Sequence, residues 1–130
     1  MPRNVRTFTD LDLSFTANPV TKDISVLIDE NAIKRSVKQL ILTNYYERLF
    51  HPEIGGQVTA LLFENFTPLT VSTLERSISN TIRNFEPRVD LLGVDINAAP
   101  DNNSLYVSIN FKIKNTFRPI TLDLTLDRTR

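Results

Sequence analysis

The chain has no cysteine, one histidine and three glycines in 130 residues. Without cysteine there is no disulfide, no thiol nucleophile and no thiolate metal site. That composition suits a reducing compartment. With His51 as the single histidine, no ordinary transition-metal cluster can be assembled, and no cofactor is expected. A nucleophilic triad would have to use His51, yet no serine sits on a strand–glycine–helix elbow. A loop histidine beside Pro52 is the ordinary reading. Neither GxGxxG nor GxxxxGK[ST] occurs, so no phosphate-cradling loop is written into the chain. There is no apolar run at the N-terminus of the kind a signal peptide needs. No stretch approaches the ~20 apolar residues of a membrane span.

Net charge is missing as well. Fifteen basic and fifteen acidic residues cancel, which removes any global pull toward nucleic acid or an anionic membrane. Arg76, Arg83 and Arg88 could share a side, but Glu75 and Glu86 sit among them. No basic run is interleaved with aromatics that would stack on bases. Arginine outnumbers lysine ten to five, a composition associated with protein interfaces. Paired carboxylates are the remaining catalytic option. Glu47, Glu53, Glu64 and Glu86 could in principle supply an acid and a base for glycoside hydrolysis. Any chain with six glutamates offers such pairs, so the pattern has little specificity.

What is present is a core-forming composition, 41% apolar, in a length that fits one domain spanning 1–130. Residues 1–10 read as an arm. Leu11, Leu13 and Phe15 alternate as if along one face of a short strand, and Asn18-Pro19 reads as a turn. Ile24 to Ile28 is β-branched and short, a strand or the lead-in to a helix. Asp29 or Asn31 can cap the next segment. In it Ile33, Val37, Leu40 and Ile41 form an apolar helical stripe ending near Asn44. Residues 45–56 form a loop punctuated by Pro52 and Gly55-Gly56, with Phe50 expected against the core. Val58, Leu61 and Leu62 suggest a short second helix, its apolar face extended by Phe63 and Phe66. Thr67-Pro68-Leu69-Thr70 opens a third helix, with Thr70 as N-cap or Ser72 and Glu75 as a capping box. Its stripe is Leu74, Ile78, Ile82 and Phe85, and Pro87 stops it.

The remainder reads as sheet. Val89 to Ala98 is β-prone, with an apolar phase slip at Leu91-Leu92 that the adjacent Gly93 can absorb as a bulge. Pro100 to Asn103 is turn chemistry. Leu105, Val107, Ile109, Phe111 and Ile113 alternate, as do Ile120, Leu122, Leu124 and Leu126. Helices first and a meander last imply α+β: two to three helices on one face of a small, mainly antiparallel three-stranded C-terminal sheet, to which N-terminal strands can add.

Two features point to protein contact. Glu86-Pro87-Arg88 places a carboxylate and a guanidinium fork on either side of a rigid corner. Its bland reading is a helix stop between two solvated charges. The last strand, with Ile120, Leu122, Leu124 and Leu126, leaves an open edge if the strand order puts it outermost. Such an edge accepts a partner's strand by β-augmentation.

Phe50-His51-Pro52-Glu53-Ile54-Gly55, Leu61-Leu62-Phe63-Glu64-Asn65, Thr67-Pro68-Leu69-Thr70 and Arg83-Asn84-Phe85-Glu86-Pro87-Arg88-Val89 together resemble the baseplate wedge, or sheath-initiator, family of contractile phage tails. That family also includes a type VI secretion baseplate subunit. The resemblance spans residues ~5 to 127, in order and spacing. Ile54 stands where the family often has an aromatic, a departure that bears on local packing.

The resemblance implies a non-enzymatic structural subunit of a virion tail baseplate, assembled in the host cytoplasm, with six copies per ring. It implies docking to other wedge proteins through Glu86, Pro87 and Arg88, with the Arg88 fork aimed at a neighbour. Glu86 would either orient Arg88 or meet a partner's cation. It further implies a sheet edge that the first ring of tail sheath protein extends. Neither nucleic acid nor membrane is an implied partner. Some family members carry a lysozyme-like label, which leaves a glycan hydrolase as one alternative. A distant relative of the fold, a small anti-adaptor that binds a bacterial partner protein, supplies the other.

Overall fold

The computed structural model describes residues 8–24, 26–99, 103–114, 116 and 118–127. Among these the elements run β1 (Thr9–Leu11), β2 (Val26–Ile28), α1 (Glu30–Leu42), α2 (Val58–Leu62), α3 (Pro68–Phe85), β3 (Val89–Ala99), β4 (Ser104–Ile113) and β5 (Pro119–Asp127). The class is α+β, as expected. The chain divides into two compact units, one ending at Ser36 and one beginning at Val37.

In the first unit, β1 and β2 pair antiparallel, with Thr9 opposite Ile28 and Leu11 opposite Val26. They form a two-stranded ribbon of their own rather than joining the C-terminal sheet. The Asp29 amide donates to the Phe8 carbonyl at 2.7 Å, and the Phe8 amide donates to Asp29 Oδ1 at 3.0 Å. Thr9 and Asp10, the end of the expected arm, thus belong to β1; residues 1–7 of the arm lie outside the described residues.

The strand expected through Phe15 stops at Leu11. Asp12 Oδ1 accepts from the Ser14 amide at 3.0 Å, and Phe15 takes φ +53°. A short carboxylate that binds the backbone two residues on makes a turn instead of a strand. Leu11, Leu13 and Phe15 are all exposed and line no buried face.

Ile33, at the start of the predicted α1 stripe, is fully buried, as is Ala32. In the second unit the same stripe continues with Val37, Leu40 and Ile41, all buried. The helix ends at Leu42, two residues before the expected limit.

The loop after α1 is held by its glycines. The Gly56 amide donates to the Thr43 carbonyl at 3.0 Å. Gly55 has φ +139°, and a Cβ there would sit 2.8 Å from the backbone of both Asn44 and Thr43. Only glycine tolerates that conformation and that approach. Thr81 on α3 closes the other side, donating to the Ser77 carbonyl at 2.8 Å and reaching the Gly55 carbonyl at 3.4 Å.

With the loop's base so fixed, its tip turns outward. Phe50 is 94% exposed at φ +70°, so the expectation that it tucks into the core does not hold. Phe63 lies beyond the end of α2 and is half exposed, so it does not extend that helix's buried face.

The N-cap of α3 is Thr67, three residues before the expected Thr70. Thr67 Oγ1 accepts from the Thr70 amide at 3.2 Å, and Pro68 takes the first turn, where its missing N–H costs nothing. Leu74, Ile78 and Ile82 are buried, and α3 rests on β3.

The sheet order is β3-β4-β5, antiparallel throughout. The expected bulge is present: the register shifts between Leu91 and Gly93. One extra residue there, Leu92, restores the phase. Val89 and Leu91 before it, and Val94 and Ile96 after it, then oppose the buried row Ile113, Phe111, Ile109 and Val107 of β4. Leu92 is left outside, 58% exposed. The turn expected at Pro100 to Asn103 lies outside the described residues except for Asn103, which has φ +51°.

Candidate partner-binding corner and sheet edge

Glu86 is the C-cap of α3. Its amide donates to the Ile82 carbonyl at 2.9 Å, closing the last turn. A residue before proline is pushed out of the helical region, and Glu86 accordingly has φ −122° and ψ 83°. The chain turns there and enters β3 at Val89. The Lys114 amide donates to the Arg88 carbonyl at 2.9 Å, which ties the corner to the end of β4.

The side chains of the tripeptide are not two solvated charges. Glu86 is 3% exposed. Arg88 Nε donates to Glu86 Oε1 at 2.6 Å, and Arg88 Nη2 donates to Oε2 at 2.9 Å. This is a bidentate fork on a carboxylate, among the stronger charge-assisted pairs a protein makes. The sequence left two roles open for Glu86; within this chain it accepts both hydrogen bonds of the Arg88 fork. Arg88 in turn spends two donors inside the chain. Pro87 is exposed at the apex.

The second candidate is β5. Its one strand neighbour among the described residues is β4, so it forms an edge of the sheet. Ile120, Leu124 and Leu126 are buried and Leu122 is half-buried. These four were candidate contact residues, and the structure turns their side chains toward the core. What β5 presents outward along its edge is backbone, together with the exposed Thr121, Asp123, Thr125 and Asp127 on the opposite face. That polar face is laced across all three strands. Thr121 Oγ1 donates to Asn110 Oδ1 at 2.8 Å, and Asn110 Nδ2 donates to Asp95 Oδ2 at 3.4 Å.

Three of the four glutamates considered for acid–base work have contacts of their own; Glu64 is exposed. Glu47 Oε2 accepts from the Asn44 amide at 2.8 Å. Both oxygens of Glu86 accept from Arg88. Glu53 is exposed and faces His51 Nδ1 at 3.2 Å. Its carboxyl is held below the usual glutamate range, first by its own backbone amide and then by His51. A general acid needs the opposite shift. Among the described residues, no group of three acidic or histidine side chains is placed to hold a metal, and no helix is long and apolar enough to cross a membrane.

Sequence reasoning missed two elements of this unit's frame: the close approach at Gly55 and the burial of Glu86. The glycine pair was visible as punctuation, but its partner segment was not.

The fold is that of contractile-tail baseplate subunits. It superposes on a chain of the anti-feeding prophage baseplate with a TM-score of 0.65, covering 91% of this chain and 83% of that one at 20% identity. For the pyocin R2 baseplate in its postcontracted state the TM-score is 0.59, covering 94% of this chain and 100% of that one at 16% identity. The crystal structure of a Geobacter sulfurreducens protein labelled a tail lysozyme gives a TM-score of 0.69, over 75% of this chain and 89% of that one at 20% identity.

Sequence comparison goes further than fold. The family described as baseplate wedge protein gp25 matches residues 29–117. The baseplate wedge protein gp25 of Enterobacteria phage T4 is 41% identical over 92 residues, which is 71% of this chain and 70% of the T4 protein. The chain belongs to the gp25 baseplate wedge family and is a structural subunit of the baseplate in a contractile tail or tail-like particle.

Proposed function

We propose that this subunit links the baseplate to the tail sheath. The corner at Glu86, Pro87 and Arg88 docks to other wedge proteins, and the β5 edge receives the first ring of sheath strands. Six copies per ring supply six such edges. The observation that carries this reading is the position of β5: outermost in its sheet, nine residues long and regular. An edge strand has a row of unpaired amides and carbonyls, and an incoming strand satisfies them. Assembly then has a direction without any chemical step.

The role is non-enzymatic in this reading. Its support is the engagement of Glu86 with Arg88 and the lowered Glu53 carboxyl, neither of which suits a glycosidase acid. Clearing on a peptidoglycan zymogram that is lost in Glu53→Gln would overturn it.

Two experiments test the contacts. In an antiparallel edge strand, adjacent residues point their backbone groups to opposite sides. One of Thr121→Pro and Leu122→Pro therefore removes only an outward donor. That variant should enter baseplates yet carry no sheath; full-length sheaths on both would exclude β5 as the receiving edge. Arg88→Lys keeps the charge beside Glu86 but loses the planar fork. It should fold and be incorporated poorly, and normal incorporation would remove the corner from the docking surface.

A further inference from the structure

Which kind of strand β5 can accept is written on its two faces. On the polar face, Asp123 and Asp127 lie four residues apart and exposed. Ser108 Oγ donates to Asp123 Oδ1 at 2.7 Å, and Ser104 Oγ donates to Asp127 Oδ1 at 2.8 Å. Both carboxylates are thereby positioned from the β4 side by neutral hydroxyls, which leave their charge uncancelled. Among the described residues no cation lies within ion-pair distance of either. On the core face, Leu122 is half-buried although Ile109, opposite it on β4, is fully buried. One apolar row is thus left incompletely covered at the edge.

The other edge of the sheet differs. The register of β3 breaks between Leu91 and Gly93, and α3 rests against it. A bulge blunts an edge; β5 has none.

We propose that the strand β5 accepts is basic and amphipathic. It is apolar where it lies beside Leu122 and Leu124, and it carries lysine or arginine opposite Asp123 and Asp127, hence four residues apart. This rests on the reading of β5 as the sheath-receiving edge, and the occupant is a segment of the tail sheath subunit. Side chains directly opposite on neighbouring strands sit ~4.5–5.5 Å apart, close enough for opposite charges to attract and like charges to repel. The same aspartates exclude acidic strands. They also exclude a second copy of β5: antiparallel self-pairing centred on Thr125 would set Asp123 of one chain against Asp127 of the other. The edge is therefore open to one sign of partner and closed to its own kind.

The test uses baseplates reconstituted with wild-type or variant subunit and the purified sheath subunit of the same particle. The fraction bearing sheath is scored by electron microscopy over a salt series. The double substitution Asp123→Lys with Asp127→Lys should lower the sheath-bearing fraction about tenfold at low salt. Asp123→Asn with Asp127→Asn should lower it less, and wild-type nucleation should weaken as salt rises. Sheath growth indifferent to the lysine pair and to salt, while the outward-donor proline still blocks it, overturns the charge inference and leaves the edge reading standing. Sheath growth on both proline variants overturns the edge reading itself.

Discussion

Arg88 grips the Glu86 carboxylate through two parallel hydrogen bonds, at 2.6 and 2.9 Å, across an exposed proline. The pair locks the angle between α3 and β3 from inside the corner. A charge as buried as that of Glu86 is tolerated because the fork is there, so the contact is structural before it is anything else.

Arg88→Ala should therefore destabilise the subunit as well as alter its surface. Removing one partner of a buried, hydrogen-bonded charge pair costs about 3–5 kcal/mol. Arg88 is partly solvent-exposed, so water can reach the vacated side and the loss should fall at the low end of that range. Urea unfolding of Arg88→Ala, Glu86→Gln and the double variant provides the check. The double variant should recover part of the loss, since it removes both charges of the pair.

The three glycines should rank sharply when each becomes alanine. Gly55→Ala should cost more than about 2 kcal/mol, because φ +139° and a 2.8 Å backbone clash act together. Gly56→Ala meets the Thr81 hydroxyl at 3.0 Å, a side chain with some room to move, and should cost less. Gly93→Ala has nothing within 4 Å and should stay within about 0.5 kcal/mol of wild type. Thermal unfolding of the three variants measures the order.

Phe50 and Phe111 should behave as opposites. Phe50→Ser removes a side chain that is 94% exposed and should change stability by less than about 0.5 kcal/mol. Phe111→Ala empties a fully buried site in the central strand and should cost about 3–5 kcal/mol. Equal losses in denaturant titration would place Phe50 in the core after all.

The β1–β2 unit should weaken in acid. Asp12 is held below the usual aspartate range, chiefly by the Ser14 amide, then by the Ser14 hydroxyl, with Arg35 assisting at 2.7 Å. A carboxyl whose folded value is depressed contributes stability above its unfolded value, near pH 4. That contribution is lost as pH falls through the lower folded value. NMR titration of the Asp12 carboxyl should show the depressed midpoint. Arg35→Gln should move it only part of the way back, because the Ser14 amide is the larger cause.

Much of this architecture could be read along the chain. Leu105 to Ile113 and Ile120 to Leu126 alternate at the period of a strand, and Leu74, Ile78 and Ile82 recur at the period of a helix. Both periods are local consequences of backbone geometry. The bulge at Leu92 was legible for the same reason, as a slip of phase beside a glycine. Where several weak local signals competed, the reading slipped. At the start of α3, Thr70 and Ser72 both read as caps, whereas the helix begins at Pro68 and is capped by Thr67. Phe50 was misplaced because hydrophobicity says a ring prefers burial, whereas the Gly55 anchor determines which way the loop faces.

The candidate site divides along the same line. By itself the sequence determined the helix stop at Pro87, the amphipathic strands, the absence of cysteine, and the family. Tertiary structure alone decided that Glu86 is buried, that Arg88 is bound to it, and that β5 is an edge with its leucines turned inward. Burial and strand order depend on which distant segments meet, and spacing along one chain carries no record of that.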